Sequence, residues 1–266
     1  MSLPALFLKK NEERRLRAGH VWIFSNEVDI ARSPLTAFAP GDAVRIEAHG
    51  GQVLGTGYVN PHSLICARLV SRDAEYMLNE SLLVHRLNVA LSLRARLYAR
   101  PYYRLVFGEA DGLPGLVIDR FDDVYAVQIS TAGMERVKDA ILAALLKVMK
   151  PRAVLWRNDT GSRDLEGLER YVAPAFGDVP AFAEVREHDA SFAVALREGQ
   201  KTGWFYDQYA NRTRMRAYVK DRRVLDVFAY VGAWGIQAAL AGASAVTCID
   251  SSAPARDWTQ ANAERN

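Results

Sequence analysis

Apolar and polar positions alternate through Gly41–Ala48 (GDAVRIEA) and again through Val53–Asn60 (VLGTGYVN), with His49, Gly50 and Gly51 between them. A period of two marks strands with one buried face, and the glycines supply the turn, so the pattern predicts a β-hairpin. Leu64–Ser71 predicts a further strand. Upstream, Asn11–Ala18 predicts a short basic helix ended by Gly19. Residues 1–72 therefore read as a small β-rich pseudo-barrel. From Glu75 to Arg100 the spacing becomes helical, with Leu78, Leu82, Leu83, Leu87 and Leu91 on one side and Pro101 as the stop. Strands are predicted at 103–109, 115–121 and 124–130, then a helix from about Met134 to Met149 and a strand at 153–159. The turn-rich loop Gly108–Gly115 (GEADGLPG) joins the first two of these strands. Ala181–Leu196 reads as a hairpin turning near His188–Asp189. Residues 73–197 thus predict an α+β middle domain.

The period switches back and forth after Glu198. A helix from about Asp207 precedes a strand at 224–229, a loop at 230–235, a helix at 236–242, a strand at 245–250 and a helix at 253–265. That β-α-β-α passage is the opening of a doubly wound, Rossmann-like sheet. The fold class predicted for the whole chain is multidomain α/β, with this third unit at 198–266.

Ligands of open α/β sheets bind at the carboxyl ends of the strands, which places loop 230–235 at a candidate site. Gly232 lets backbone approach a ligand closely. Asp250 ends the second strand about 24 residues after Asp226, where a carboxylate suits the two hydroxyls of a ribose. A dinucleotide calls for G-x-G-x-x-G, and AYVGAWG lacks the first pair of glycines, with Phe228 and Tyr230 near their places. S-adenosylmethionine has no phosphate to cradle, and Asp226 is placed to meet its amino acid end. An ordinary strand–turn–helix with no ligand is the alternative at this point.

Composition narrows the classes only modestly. The net charge of +3 over 266 residues does not by itself call for a nucleic-acid partner. Basic residues do gather locally, at Lys9–Arg17 and between Lys201 and Arg223. No apolar stretch reaches the roughly 18 residues of a membrane span. Cys66 and Cys248 are too few for a disulfide framework and lack metal-ligand spacing, so a reducing, cytoplasmic setting and no metal are expected.

Three stretches in series carry a resemblance. Leu8–Val28 (LKKNEERRLRAGHVWIFSNEV), Gly108–Asp123 (GEADGLPGLVIDRFDD), and Glu198–Arg212 (EGQKTGWFYDQYANR) with the following VLDVFAYVGAWGIQAALAGA and IDSSAPA are similar to the bacterial rRNA large-subunit methyltransferase family. The resemblance runs over essentially the whole chain. It implies an N-terminal PUA domain that binds RNA, S-adenosylmethionine as cofactor and C5 of a cytosine in 23S rRNA as substrate. It implies that Asp226 accepts from the cofactor's amino group, directly or through water. Phe228 and Gly232 then shape the wall beside the methionine portion, and Asp250 holds the ribose. Phe205 and Asp207 lie near the cofactor, with Lys201 and Thr202 at the rim. Val231 stands where the family usually carries Thr, and Ala233–Trp234 where it often carries Gly-Phe.

C5 of cytosine is a poor nucleophile, and the family activates it by adding a cysteine thiolate to C6. Cys66 falls in a predicted strand and Cys248 inside the second strand of the third unit. Both are expected to be buried and neither to be the nucleophile. The family's sheet has seven strands, of which two are read here. The others, and the catalytic cysteine, are expected beyond Asn266. In the N-terminal domain Lys9, Lys10, Arg14, Arg15, Arg17 and His20 are the candidate RNA contacts. Trp22 lies in the apolar run VWIF and is expected in the core. The second function class is a non-catalytic RNA-binding protein derived from this family. Homodimerisation is left open.

Overall fold

The computed structural model describes residues 3–266. Residues 3–71 build a five-stranded sheet from β1 (Ala5–Phe7), β2 (Trp22–Ile23), β3 (Asp42–Glu47), β4 (Val53–Val59) and β5 (Ala67–Ser71), in the order β1-β3-β4-β5-β2. The hairpin at 41–60 forms as β3 and β4, paired antiparallel. β1 runs parallel to β3, and the two-residue β2 closes the far edge against β5. The short helix α1 (Glu13–Arg17) sinks Leu16 into a core of Leu6, Leu8, Ile23, Val44, Ile46, Val59 and Leu69.

The middle sheet has the order β10-β9-β8-β7-β6, with β6 (Tyr102–Phe107), β7 (Leu116–Phe121), β8 (Val124–Ile129), β9 (Ala153–Asn158) and β10 (Tyr171–Phe176). Its central strands β8 and β9 are buried on both sides, and the period of two sorts side chains between two cores. Ile118, Val127 and Trp156 face α2 (Glu80–Leu97) and α4 (Lys138–Met149), packing with Leu83, Leu87, Ile141 and Leu145. Phe121, Ala126 and Leu155 face the opposite way, onto the hairpin β11 (Phe182–Glu187) and β12 (Ala190–Ala195). That second core continues through Trp204 and Tyr206 to Val231 and Ile236, so hairpin and third unit share one interior.

Two expected elements differ, and one strand has no expected counterpart. The helix predicted from Glu75 begins only at Glu80, because the Asn79 side chain accepts from Leu82 N and caps it there. The helix predicted over 134–149 is two, α3 (Ala132–Arg136) and α4, broken at Val137. β10 was not expected at all. It is a half-exposed edge strand carrying Pro174, which blurs any alternation.

The third unit comprises α5 (Tyr209–Met215), β13 (Arg223–Val227), α6 (Ala233–Leu240), β14 (Ala245–Ile249) and α7 (Ala253–Arg265). β13 and β14 pair in parallel with Asp226 opposite Cys248. One face of this two-stranded sheet lies under α6, while Leu225, Val227 and Ile249 on the other stay exposed. α7 is capped by Ser252 and held at the hairpin by Asn262, whose fully buried amide bonds Ala193 N and O and Val231 O.

Candidate cofactor site and nucleic-acid interface

β13 ends at Val227, and the next turns are left-handed: φ is +63° at Phe228, +52° at Tyr230 and +78° at Gly232. Only glycine adopts that region freely, so Phe228 and Tyr230 each store about 1–3 kcal/mol of strain. Neighbouring elements pin the loop. Tyr230 N donates to Asp250 Oδ2 at 2.9 Å, and its carbonyl accepts from Thr259 Oγ1 at 2.8 Å. The Tyr230 hydroxyl accepts from Gln200 N at 3.0 Å and reaches Gly203 O at 3.3 Å.

Asp226 and Asp250 frame this loop from the two strands. Asp226 Oδ2 accepts from Gly235 N at 2.9 Å, inside the first turn of α6. Burial pushes this carboxyl above its ordinary range, against the lowering effect of that hydrogen bond, and the nearby Asp250 adds to the rise. Asp250 is half-buried, and backbone donors from Ser252 (2.9 Å) and Tyr230 hold it below the usual carboxylate range. Each carboxylate oxygen has a second lone pair, so Asp250 retains acceptor capacity. Gly235 allows α6 to lie directly on β14: a Cβ there would meet Cys248 Sγ and sit 3.3 Å from Asp226 Oδ2.

The segment 200–208 closes the site from the side. Lys201 Nζ bonds both oxygens of Asp207 at 3.2 Å and lies 4.2 Å from the Phe205 ring centroid. Burial works against the ionised Asp207, yet the hydrogen bonds from Gln208 and Lys201 outweigh it and lower its pKa. The Phe205 ring meets Tyr230 edge-on at 5.7 Å. Thr202 departs from its expected place at the rim. It is fully buried, and its hydroxyl donates to Asp119 Oδ2, the carboxylate that also pairs with Arg104. Phe205, Phe228, Tyr230 and Trp234 line a cavity of about 150 Å³. Asp226, Phe228 and Trp234 line an adjoining one of about 360 Å³.

Beneath the loop lies a charged network that sequence reading missed. Arg212 Nε and its Nη2 each bond one oxygen of Glu187 at 2.6 Å, and both side chains are almost completely buried. Gln237 Nε2 donates to Glu187 Oε1 at 2.7 Å, and Arg212 also reaches Phe205 O at 3.1 Å. Arg212 further stacks 4.8 Å from the Trp204 ring centroid.

The two thiols are both held neutral. Burial pushes Cys66 up to about 12, and burial with the Asp226 charge pushes Cys248 up to about 11. Cys66 is buried, but it lies just before β5 rather than inside the predicted strand. Cys248 is half-buried rather than fully so. Among the described residues no cluster of His, Cys, Asp and Glu could hold a metal ion.

The expected RNA-facing cations divide by what they already hold. Arg15 pairs with the buried Glu27 at 2.6 Å, and Lys9 Nζ donates to Asn26 O at 2.8 Å, so both brace the fold. Arg14 and Arg17 bond only the neutral Asn11 and Gln52, leaving their charge uncompensated, and Lys10 and His20 are exposed. Trp22 is not in the core. The alternation of β2 buries Ile23 and turns Trp22 outward, 40% exposed, with Nε1 donating to Glu109 Oε1 at 2.7 Å.

The PUA-like domain family matches residues 6–72. Over 99% of its length the chain is 37% identical to ribosomal RNA large subunit methyltransferase I of Klebsiella pneumoniae, covering 66% of that protein. It is 35% identical to the proteins of the same name from Aliivibrio fischeri and Escherichia coli, again over 98% of this chain and 66% of each. A SAM-dependent methyltransferase from Streptococcus mutans superposes with a TM-score of 0.83 at 22% identity, over 99% of this chain and 68% of that one. A methyltransferase complexed with SAH gives 0.84 at 22% identity, over 98% and 66%. At such identities these two structures speak for the fold. The chain spans about two thirds of the length of the curated relatives it matches. Over that span it belongs to the ribosomal RNA large subunit methyltransferase I family.

Proposed function

We propose that the chain docks large-subunit rRNA and binds S-adenosylmethionine for methylation of a cytosine at C5, with working units at 1–72, 73–197 and 198–266. The observation that carries the cofactor is the Asp226 carboxylate in the first turn of α6, bonded to Gly235 N. A dinucleotide would set its pyrophosphate on the N-terminal amides of α6, and one of them, Gly235 N, is already taken by the Asp226 carboxylate. A cofactor with no phosphate and two positive centres fits instead. When bound, S-adenosylmethionine supplies a methyl group made electrophilic by its sulfonium.

The chain's own residues bind and orient. Asp250 offers its free lone pairs to the ribose hydroxyls, and Asp226 offers charge to the amino group. Phe228, Gly232 and Phe205 wall the methionine end, while Asp207, tethered by Lys201, adds a third carboxylate. Arg14, Arg17, Lys10 and His20 meet phosphates, with Lys9 and Arg15 positioning α1 beneath them. Neither thiol is a nucleophile toward C6, because both are held neutral at physiological pH. Cys66 and Cys248 therefore leave C5 unactivated. The setting is the cytoplasm, and a homodimer is the oligomeric state to test by sedimentation velocity.

Calorimetry with S-adenosylmethionine, beside tritium transfer to unmodified large-subunit rRNA, tests the reading. Asp250→Ala should weaken cofactor binding about tenfold or more, through loss of hydrogen bonds to a charged group of about 1.5–3 kcal/mol. Binding indifferent to Asp250 would sink it. Methyl transfer that survives Cys66→Ser with Cys248→Ser would replace C5 chemistry with methylation at a nitrogen.

A further inference from the structure

A groove of about 850 Å³ runs between the edge strand β2 and the loop that follows β6. Trp22 and Phe24 come to it from the N-terminal sheet, Leu64 from the segment before β5, Phe107 from the end of β6 and Leu165 from the turn at 161–166. Leu165 is 77% exposed, Leu64 71% and Phe107 56%. Four separate segments thus each spend a large apolar side chain on solvent in one place. No single amphipathic element would produce that arrangement, and contiguous patches of this kind mark binding surfaces.

The carboxylates of the groove are already engaged. Glu166 is buried, paired with Arg68 at 2.9 Å and bonded by Asn60 Nδ2 at 2.8 Å. Glu109 accepts from Trp22 Nε1, which fixes the indole in one orientation. The groove also adjoins the cationic helix: the Arg15 guanidinium lies 5.1 Å from the ring centroid of Phe24. Aromatic faces beside a helix that also carries the uncompensated Arg14 and Arg17 match one kind of polymer, with planar apolar units on an anionic backbone.

We infer that this groove stacks unpaired bases of an RNA strand whose phosphates run over α1. The inference rests on the reading of the chain as an rRNA-docking protein, and it adds the single-stranded character of the docked segment. Bases inside a duplex are stacked on each other, and only splayed bases can use Trp22 and Phe107. The backbone cations supply charge-dependent affinity, and the rings supply affinity that salt does not touch.

The test is fluorescence anisotropy of the 266-residue chain with a labelled single-stranded RNA and a duplex of equal length, across a salt series. Trp22→Ala and Phe107→Ala should each weaken single-strand binding about tenfold with the salt slope unchanged, and leave duplex binding as it was. Trp22→Phe also loses the bond to Glu109 but keeps a ring. It should retain most of the affinity, which separates stacking from damage to the fold. Leu165→Asp should weaken binding by charge at the groove wall. Full single-strand affinity in the Trp22→Ala, Phe107→Ala double variant would overturn the inference and leave the groove to a protein segment. Failure of the unaltered chain to bind any RNA would instead remove the functional reading, and this inference with it.

Discussion

Glu187→Ala should be among the most damaging single substitutions in this protein. The carboxylate receives two hydrogen bonds of 2.6 Å from Arg212 and one of 2.7 Å from Gln237, and it is nearly inaccessible to water. Removing it strands a buried guanidinium, which costs about 3–5 kcal/mol. Arg212 keeps its bond to Phe205 O and its place over the Trp204 ring, so the lower end applies. With a urea dependence of about 1–3 kcal/mol per molar, a loss of ~3 kcal/mol lowers the unfolding midpoint by about 1 M or more. Trp204 emission reports the event, since the ring stacks on the affected guanidinium. Arg212→Met should cost a similar amount. The double variant Glu187→Leu, Arg212→Met should recover most of it, because no buried charge is left unpaired. A residual deficit of about 1 kcal/mol remains where Gln237 Nε2 and Phe205 O lose partners. Single variants each costing under about 1 kcal/mol, or a double variant costing their sum, would refute the reasoning. The consequence reaches function because the network joins β11, α5, α6 and the carbonyl of Phe205 beneath the cofactor loop.

Two further outcomes follow from the same packing. Gly235→Ala should destabilise the third unit by about 1–3 kcal/mol through overpacking against Cys248; in a Cys248→Ala background most of that cost should vanish on thermal melting, and an equal cost in both backgrounds would place the conflict elsewhere. Alkylation by iodoacetamide at pH 8 should be slow at both thiols, with Cys248 about a hundredfold below an ordinary cysteine, because its pKa of about 11 lies roughly two units above the ordinary value of 9.0; the rate should rise about tenfold per pH unit toward 11, and rapid labelling at pH 8 would show an activated thiolate.

Local pattern alone determined much of this molecule. The hairpin of β3 and β4, the turn of β11 and β12 at His188–Asp189 and the span of α7 all follow from local periodicity and punctuation. The strand–loop–helix that brings Asp226, Gly232 and Asp250 to one edge follows too, since parallel strands joined by a short helix must end on the same side. Tertiary structure decided what depends on distant partners. Trp22 reads as core within VWIF, yet it is an edge-strand residue whose neighbour Ile23 takes the inward position. Thr202 reads as a rim residue, yet Asp119, 83 positions earlier, draws it inside. Arg15 looks as available as Arg14 until Glu27 is folded against it. Arg212, Glu187 and Gln237 carry no local signal, because a buried ion pair is defined by the loss of water around it, and only packing of the whole chain removes that water.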